Sequence, residues 1–283
     1  MSDTQTWGAG LRSDGPVKPA WCPGCGNFAI VKAVDRALDE AGLDRRQVVL
    51  VSGIGQAAKL PHYVSQPVNV FNGLHGRAVP AATGIKLANH ELAVIVTSGD
   101  GDMYGEGGNH LLHAIRRNIG LKCFVHNNQI YGLTKGQASP TSDAGTHTKL
   151  QAYGVAAQPL NPLALAIAEG ASFVARSFSG LPDHLAQMMV AALQQPGFAL
   201  LDILQPCVTF NKINTFKWYK ERVRPLADDY DPTDRMRALE TAFVWGDEIP
   251  VGIIYRHDQP SYESKLPALA GGPLAAAVLD QTP

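Results

Sequence analysis

The chain has 283 residues, of which 45% are hydrophobic and 17% charged, and its formal net charge is −1. This fits a globular chain with a substantial core and leaves no electrostatic footprint for nucleic acid or an anionic membrane. No apolar run reaches the roughly 18 residues that a transmembrane helix needs. The polar N-terminal stretch "MSDTQTWGAGLRSDG" lacks the apolar core of a signal peptide. A cytoplasmic protein is expected, so Cys22, Cys25, Cys123 and Cys207 are not expected to form structural disulfides. The light charge also hints at an extended subunit interface.

In chain order, "WCPGCGN" (21–27) comes first, a C-x-x-C between glycines and a proline. The spacing alone fits a zinc site, a redox dithiol or two corners of an iron–sulfur cluster. "NFAIVKAVDRALDEAGL" places Phe28, Val31, Val34 and Leu38 at helical spacing and stops at Gly42. "QVVLVSG" reads as a buried strand, "LAVIVTSGDGD" as a strand entering a Gly/Asp loop, "GNHLLHAIRRN" as a helix and "LKCFVHNN" as a strand entering a polar loop. "PLALAIAEG" and "PDHLAQMMVAALQQ" read as helices, "ASFVA" as a strand and "FALLDILQP" as a final strand. Strands alternating with helices predict an α/β fold, a parallel sheet flanked on both faces by helices. Ligands of such sheets bind at the carboxyl ends of the strands, where every polar Gly-rich cluster here falls. From about Asn211 the pattern gives way to an irregular C-terminal arm. This divides the chain into a domain over 1–210 and an arm over 211–283, which is expected to pack on a partner or cover the site.

The segment "GDGDMYGEGGNH…VHNNQIYG" carries the strongest chemistry. One strand delivers Asp100 between Gly99 and Gly101, and the next delivers Asn127 and Asn128. Glycines let a backbone approach phosphate oxygens and offer them N–H groups. A carboxylate, an amide oxygen and a backbone carbonyl suit a hard cation such as Mg²⁺ on a diphosphate. Tight turns at strand ends are the bland alternative, which the pairing of GDG with NN one βαβ unit later outweighs.

That pairing resembles the thiamine-diphosphate motif. With "WCPGCGN", "SGIG", "HGRA", "GDGD…GGNH" and "NNQIYGLTKGQASPT", it resembles the β subunit of 2-oxoacid:ferredoxin oxidoreductases from about Trp21 to Trp218. The resemblance implies a thiamine-diphosphate-binding domain over 1–210 with an N-terminal iron–sulfur loop. It also implies that the other half of the site lies on a separate α subunit, in an (αβ)₂ assembly. The implied reaction is oxidative, CoA-acylating decarboxylation of a 2-oxoacid, with electrons passed through an iron–sulfur cluster to ferredoxin, and reversible in principle.

By resemblance, Asp100, the Asn128 side chain and the Ile130 carbonyl hold Mg²⁺. Gly53, Ile54, Gly55, Gly99, Gly101 and Asp102 line the cofactor, while Tyr131, Gly132, Leu133 and Thr134 wrap it. His75, Gly76 and Arg77 lie near the thiazolium and diphosphate, with His75 a proton-transfer or polar stabilising group rather than only a backbone partner. Leu133 props the cofactor or lines its pocket. Lys135 could pair with the distal carboxylate of 2-oxoglutarate, which favours that substrate over pyruvate or another 2-oxoacid. Its bland alternative is a solvated loop lysine. His110 and His113 read as packing or surface residues. "FNKINTFKWYKERV" could offer basic residues to coenzyme A or substrate.

The family holds a [4Fe–4S] cluster with four thiolates. Cys22, Cys25 and Cys207 match three of them, but Gln56 stands where the remaining one is expected, just after "SGIG". Cys123 sits inside the apolar "LKCFV" and reads as core. Three alternatives stand: a non-cysteine fourth ligand (His62, a water or a partner group), a three-iron form, or a lost site. A zinc ion held by the same thiolates, a non-redox thiamine-diphosphate decarboxylase half, and a scaffold subunit with a vestigial pocket are the competing readings.

Overall fold

The computed structural model describes residues 18–279, so the polar N-terminal stretch lies outside the described residues. Within that span ten strands and eight helices form in the order α1 (Asn27–Glu40), β1 (Val48–Ser52), β2 (Asn69–Asn72), α2 (Ala78–Ala88), β3 (Ala93–Gly99), α3 (Gly108–Arg117), β4 (Leu121–Asn127), β5 (Ile130–Tyr131), β6 (Gln137–Ala138), α4 (Pro162–Glu169), β7 (Phe173–Phe178), α5 (Pro182–Gln194), β8 (Ala199–Leu204), α6 (Phe216–Arg222), β9 (Val223–Pro225), α7 (Arg235–Phe243), β10 (Ile249–Arg256) and α8 (Leu274–Leu279). Eight strands make one sheet in the order β2-β1-β3-β4-β8-β7-β10-β9, and β5 and β6 form a separate hairpin. The sheet is parallel apart from the antiparallel β10–β7 pair.

Alternation along the strands builds two cores. Val49, Val51, Val94, Val96 and Val125 face a layer containing α2, α3, α4 and α7. Leu50, Ile95, Phe124, Leu201 and Ile203 face α1 and α5. Strands buried on both faces are what a parallel sheet between helix layers requires. Cys123 is fully buried in the first core, and burial pushes its thiol up to about 12, so it packs as a small hydrophobe. Local signals set the helix ends. At α4, the Asn161 side chain accepts the Ala164 N–H at 3.0 Å, Pro162 opens the helix, and Gly170 closes it at φ 87°.

Two expectations are corrected. "FALLDILQP" is not the last strand, because β9 and β10 extend the sheet beyond β7. The arm is correspondingly less irregular than its sequence suggests, since Ala238, Ala242, Ile254 and Tyr255 enter the first core. Pro250, Gly252 and a register shift between Ile253 and Tyr255 break the strand pattern that would have marked β10.

Register brings one sheet edge level. Ser52 pairs with Asn72 and Thr97, Gly99 with His126, and Asn127 with Leu204. The loops after β1, β2, β3, β4 and β8 therefore rise side by side from the carboxyl edge.

Candidate active site

β3 ends at Gly99, and the chain enters a single π-helical turn, Gly101–Glu106, before α3. Such turns recur at functional sites, and this one gathers two buried carboxylates. Asp100 Oδ2 accepts the hydroxyls of Ser139 (2.5 Å) and Thr141 (2.7 Å), and Oδ1 accepts the Asn128 N–H at 3.4 Å. Burial still pushes its carboxyl up to about 6. A buried carboxylate so short of compensating charge suits a divalent cation.

Asp102 does a different job from lining the loop alone. Its Oδ1 accepts His75 Nδ1–H (2.6 Å), the Gly76 N–H (2.7 Å) and the Ile54 N–H (3.2 Å), while Oδ2 accepts the Ser98 hydroxyl (2.5 Å). It ties the loops after β1 and β2 to the π-helical turn and orients the His75 imidazole. Gly53 is required beneath it, since a Cβ there would overlap the Asp102 carboxylate. A Cβ at Gly101 would overlap the Tyr131 ring. The imidazole lies between two carboxylates, with Nε2 at 3.7 Å from Glu106 Oε2. Glu106 in turn accepts the Tyr131 hydroxyl at 3.0 Å.

Ile54, Gly55, His75, Gly99, Asp100, Gly101, Asp102, Asn128, Ile130, Tyr131, Gly132, Leu133 and Thr134 line one cavity at this edge. Gly53 and Gly76 support it from behind, through the Asp102 contacts above. Two expected residues stand apart. Arg77 caps α2, and its guanidinium donates to the carbonyls of Gly76 and Glu106, both at 3.2 Å, beside a neighbouring concavity lined by Phe71 and Leu74. Lys135 is exposed on the β5–β6 loop with φ 83°, outside the cavity lining. Only one of the paired asparagines reaches the cavity. Asn127 is buried with its amide on both Asp202 oxygens at 3.2 Å, and its carbonyl accepts the Thr141 hydroxyl at 2.9 Å. Asn128 Oδ1 accepts the Ile130 N–H at 3.0 Å, which keeps its oxygen and the Ile130 backbone together.

Behind Asp100, Thr141 and Asn127 lead to a fully buried Asp202, which also accepts the Tyr104 hydroxyl at 2.8 Å. Ser139, Thr141, Glu106 and Asp202 are site residues that the motifs did not reveal. A larger concavity among the described residues, about 880 Å³, lies between the 155–161 segment, α4 and α7. It presents no acid, imidazole, thiol or cation, so it is not the chemical centre.

A second cavity adjoins the first. Cys22, Cys25 and Cys207 line it together with Trp21, Gln56, Asn128, Gly132 and Gln205. Trp21 stacks edge-on against Phe28 and Tyr63 and donates its indole N–H to the Gln56 carbonyl at 2.9 Å, fixing the C-x-x-C loop to the β1 loop. Gln205 Nε2 donates to Cys25 Sγ at 3.3 Å. Burial raises the Cys25 thiol, and the neighbouring Cys207 and Cys22 raise it further. His62 lies outside this cavity and pairs with Asn72 Oδ1 at 2.8 Å. Among the described residues, no three His, Cys, Asp or Glu side chains are placed to hold a single metal ion.

A cavity at the carboxyl edge of a parallel sheet, with a buried acid and an Asn–Ile backbone turn facing each other, defines the diphosphate-binding class of thiamine enzymes. The family described as "Thiamine pyrophosphate enzyme, C-terminal TPP binding domain" matches residues 46–203, and the C-terminal family of the "Pyruvate ferredoxin oxidoreductase beta subunit" matches residues 207–271. The 2-oxoacid:ferredoxin oxidoreductase subunit beta of a Sulfolobus species is 44% identical over 93% of this chain and 88% of its own length. The 2-oxoglutarate oxidoreductase subunit KorB of Mycobacterium tuberculosis is 44% identical over 74% of this chain and 55% of its own. The solved 2-oxoglutarate:ferredoxin oxidoreductase of Magnetococcus marinus, with 2-oxoglutarate, coenzyme A and succinyl-CoA bound, superposes with a TM-score of 0.87 at 36% identity, covering 95% of this chain and 94% of that one. The chain belongs to the β subunits of the 2-oxoacid:ferredoxin oxidoreductases. Among the described residues no helix is long and apolar enough to cross a membrane.

Proposed function

We propose that this β subunit works with an α subunit, as (αβ)₂ in the cytoplasm, to decarboxylate 2-oxoglutarate oxidatively to succinyl-CoA, with ferredoxin as electron acceptor. The observation that carries this is the adjacency of the two cavities, which share Gln56, Asn128 and Gly132 in their walls. When bound, thiamine diphosphate supplies a carbon nucleophile toward the keto carbon and a sink for the electrons left as CO₂ departs. Asp100, Asn128 Oδ1 and the Ile130 carbonyl would hold Mg²⁺ on its diphosphate, and the raised Asp100 carboxyl suits that cation. His75, oriented by Asp102 through Nδ1, would exchange a proton through Nε2 at the cavity wall, where Glu106 Oε2 lies at 3.7 Å. Leu133, on the rim, would exclude water from the reacting carbon.

Cys22, Cys25 and Cys207 would hold an iron–sulfur cluster. Three thiols lining one cavity, in a chain similar to ferredoxin oxidoreductase β subunits, support an iron–sulfur cluster over one tetrahedral zinc ion. Lys135 supports 2-oxoglutarate by its place in the chain, directly after the Tyr131–Thr134 wall, from which an ammonium reaching the cavity would meet a distal carboxylate that pyruvate lacks. The relatives named for 2-oxoglutarate support the same choice.

The test is steady-state reduction of a low-potential acceptor by the co-expressed, anaerobically purified complex, dependent on both oxoacid and coenzyme A. Losing a charge-assisted contact of about 1.5–3 kcal/mol, Lys135→Met should lower kcat/KM for 2-oxoglutarate about 10- to 100-fold and spare pyruvate. Equal loss for both substrates would refute the specificity role, and acyl-CoA formation without acceptor reduction would refute the redox reaction.

A further inference from the structure

Gln56 stands between the two cavities. It lines the cysteine cavity with Cys22, Cys25 and Cys207, and it also lines the diphosphate cavity. Its side-chain oxygen Oε1 is buried and accepts no hydrogen bond. A buried amide oxygen without a donor costs about 1–3 kcal/mol, so such an atom calls for an electrophile.

The neighbouring donors are committed elsewhere. The Trp21 indole N–H goes to the Gln56 backbone carbonyl, the Gln205 amide to Cys25 Sγ and the Pro206 carbonyl, and the Asn128 amide to Gln205 Oε1 at 3.4 Å. The Trp21 bond also holds the Gln56 backbone against the C-x-x-C loop, so the side chain springs from a fixed point. His62 is turned to Asn72, and Thr209, which brings a hydroxyl to the cavity, is exposed.

We propose that Gln56 Oε1 completes the donor set of this cavity, so that the chain holds its cluster by three thiolates and one neutral amide oxygen. This rests on the cluster reading above. Two consequences follow from the donor chemistry. An amide oxygen binds iron more weakly than a thiolate, so an iron held there would be the first released on oxidation. With one anionic ligand fewer the cluster is less negative, which raises its reduction potential relative to an all-thiolate cluster. Because Gln56 also walls the diphosphate cavity, this donor lies where the thiol cavity meets the thiamine half of the site.

The experiment compares the wild-type complex, Gln56→Leu and Gln56→Cys, co-expressed with the α subunit and purified without oxygen. Iron and acid-labile sulfide are quantified, and EPR spectra are recorded before and after mild ferricyanide oxidation. The wild type should hold about four irons per β chain and lose about one on oxidation, giving a three-iron signal. Gln56→Leu should arrive with about three irons. Gln56→Cys, which keeps the fold if Leu does not, should retain all four through oxidation and show a lower midpoint potential. Four irons and unchanged lability in Gln56→Leu would overturn the assignment and leave the cluster reading standing. So would a Gln56→Cys complex as labile and as easily reduced as wild type. A wild-type complex free of iron would overturn the cluster and the Gln56 assignment together.

Discussion

Asp102 accepts two backbone N–H groups, an imidazole N–H and a hydroxyl from two different loops and a strand. An amide in its place would aim an N–H at groups that are themselves donors. Asp102→Asn should therefore cost about 1–3 kcal/mol in urea unfolding, and weaken thiamine diphosphate binding about tenfold or more by calorimetry on the assembled complex. Lys122, at the start of β4, donates to the carbonyls of Gln195 and Gly197 from a buried position, and burial lowers its ammonium to about 7. The unfolded lysine stays protonated up to about 10.4, so between the two values the unfolded state binds more protons, and stability rises with pH. Urea unfolding should show a gain of at most about 2.5 kcal/mol from this group between about pH 7.5 and 9.5, and Lys122→Met should flatten that slope. At this scale the sequence announced Asp100 and Asn128, because each stands in a local motif. Ser139 and Thr141 escaped notice because they meet Asp100 from 39 and 41 residues away along the chain. Distances of that kind leave no periodic trace.

Among the elements, the π-helical turn after β3 governs the site, because its one extra residue per turn presents Asp100 and Asp102 to different partners. Tyr131 from β5 packs on Gly101 and donates to the Glu106 carboxylate, closing the turn from above. Gly101→Ala should displace that ring and reduce thiamine diphosphate and Mg²⁺ affinity at least about tenfold by calorimetry. Circular dichroism of the variant should stay native, since the strand beneath is unaffected. The regular helices and central strands could be read from apolar spacing. β2 could not, because all four of its residues are exposed and it has no buried face to mark. α2 was hidden by Pro80, Thr83 and Gly84, which lower helix propensity without preventing a helix packed on β1 and β3.

Over the whole molecule, the carboxyl edge is bordered by apolar groups that a monomer would not leave in water. Leu74 is 75% exposed and Phe71 46%, beside the Arg77 concavity, while Ile54 and Leu133 stand at the cofactor cavity. Such a patch at an open site is where a second subunit would seat. Leu74→Glu places a charge there and should weaken assembly with the α subunit by about tenfold or more, seen as free β chain in size-exclusion chromatography with its own fold intact. A sheet order that places β10 and β9 beyond β7 was beyond the reach of local pattern, because it depends on which edge the returning chain meets.

The cysteines differ steeply in access. Cys22 is exposed, Cys25 and Cys207 are half-buried, and Cys123 lies inside the sheet. An alkylating reagent would be held off Cys22, Cys25 and Cys207 alike by a group filling the cavity they line, would meet the exposed Cys22 first once that cavity is empty, and would reach Cys123 only when the strands part. One chain thus carries both a gauge of cavity occupancy and a clock for global opening, legible together in a single mass spectrum.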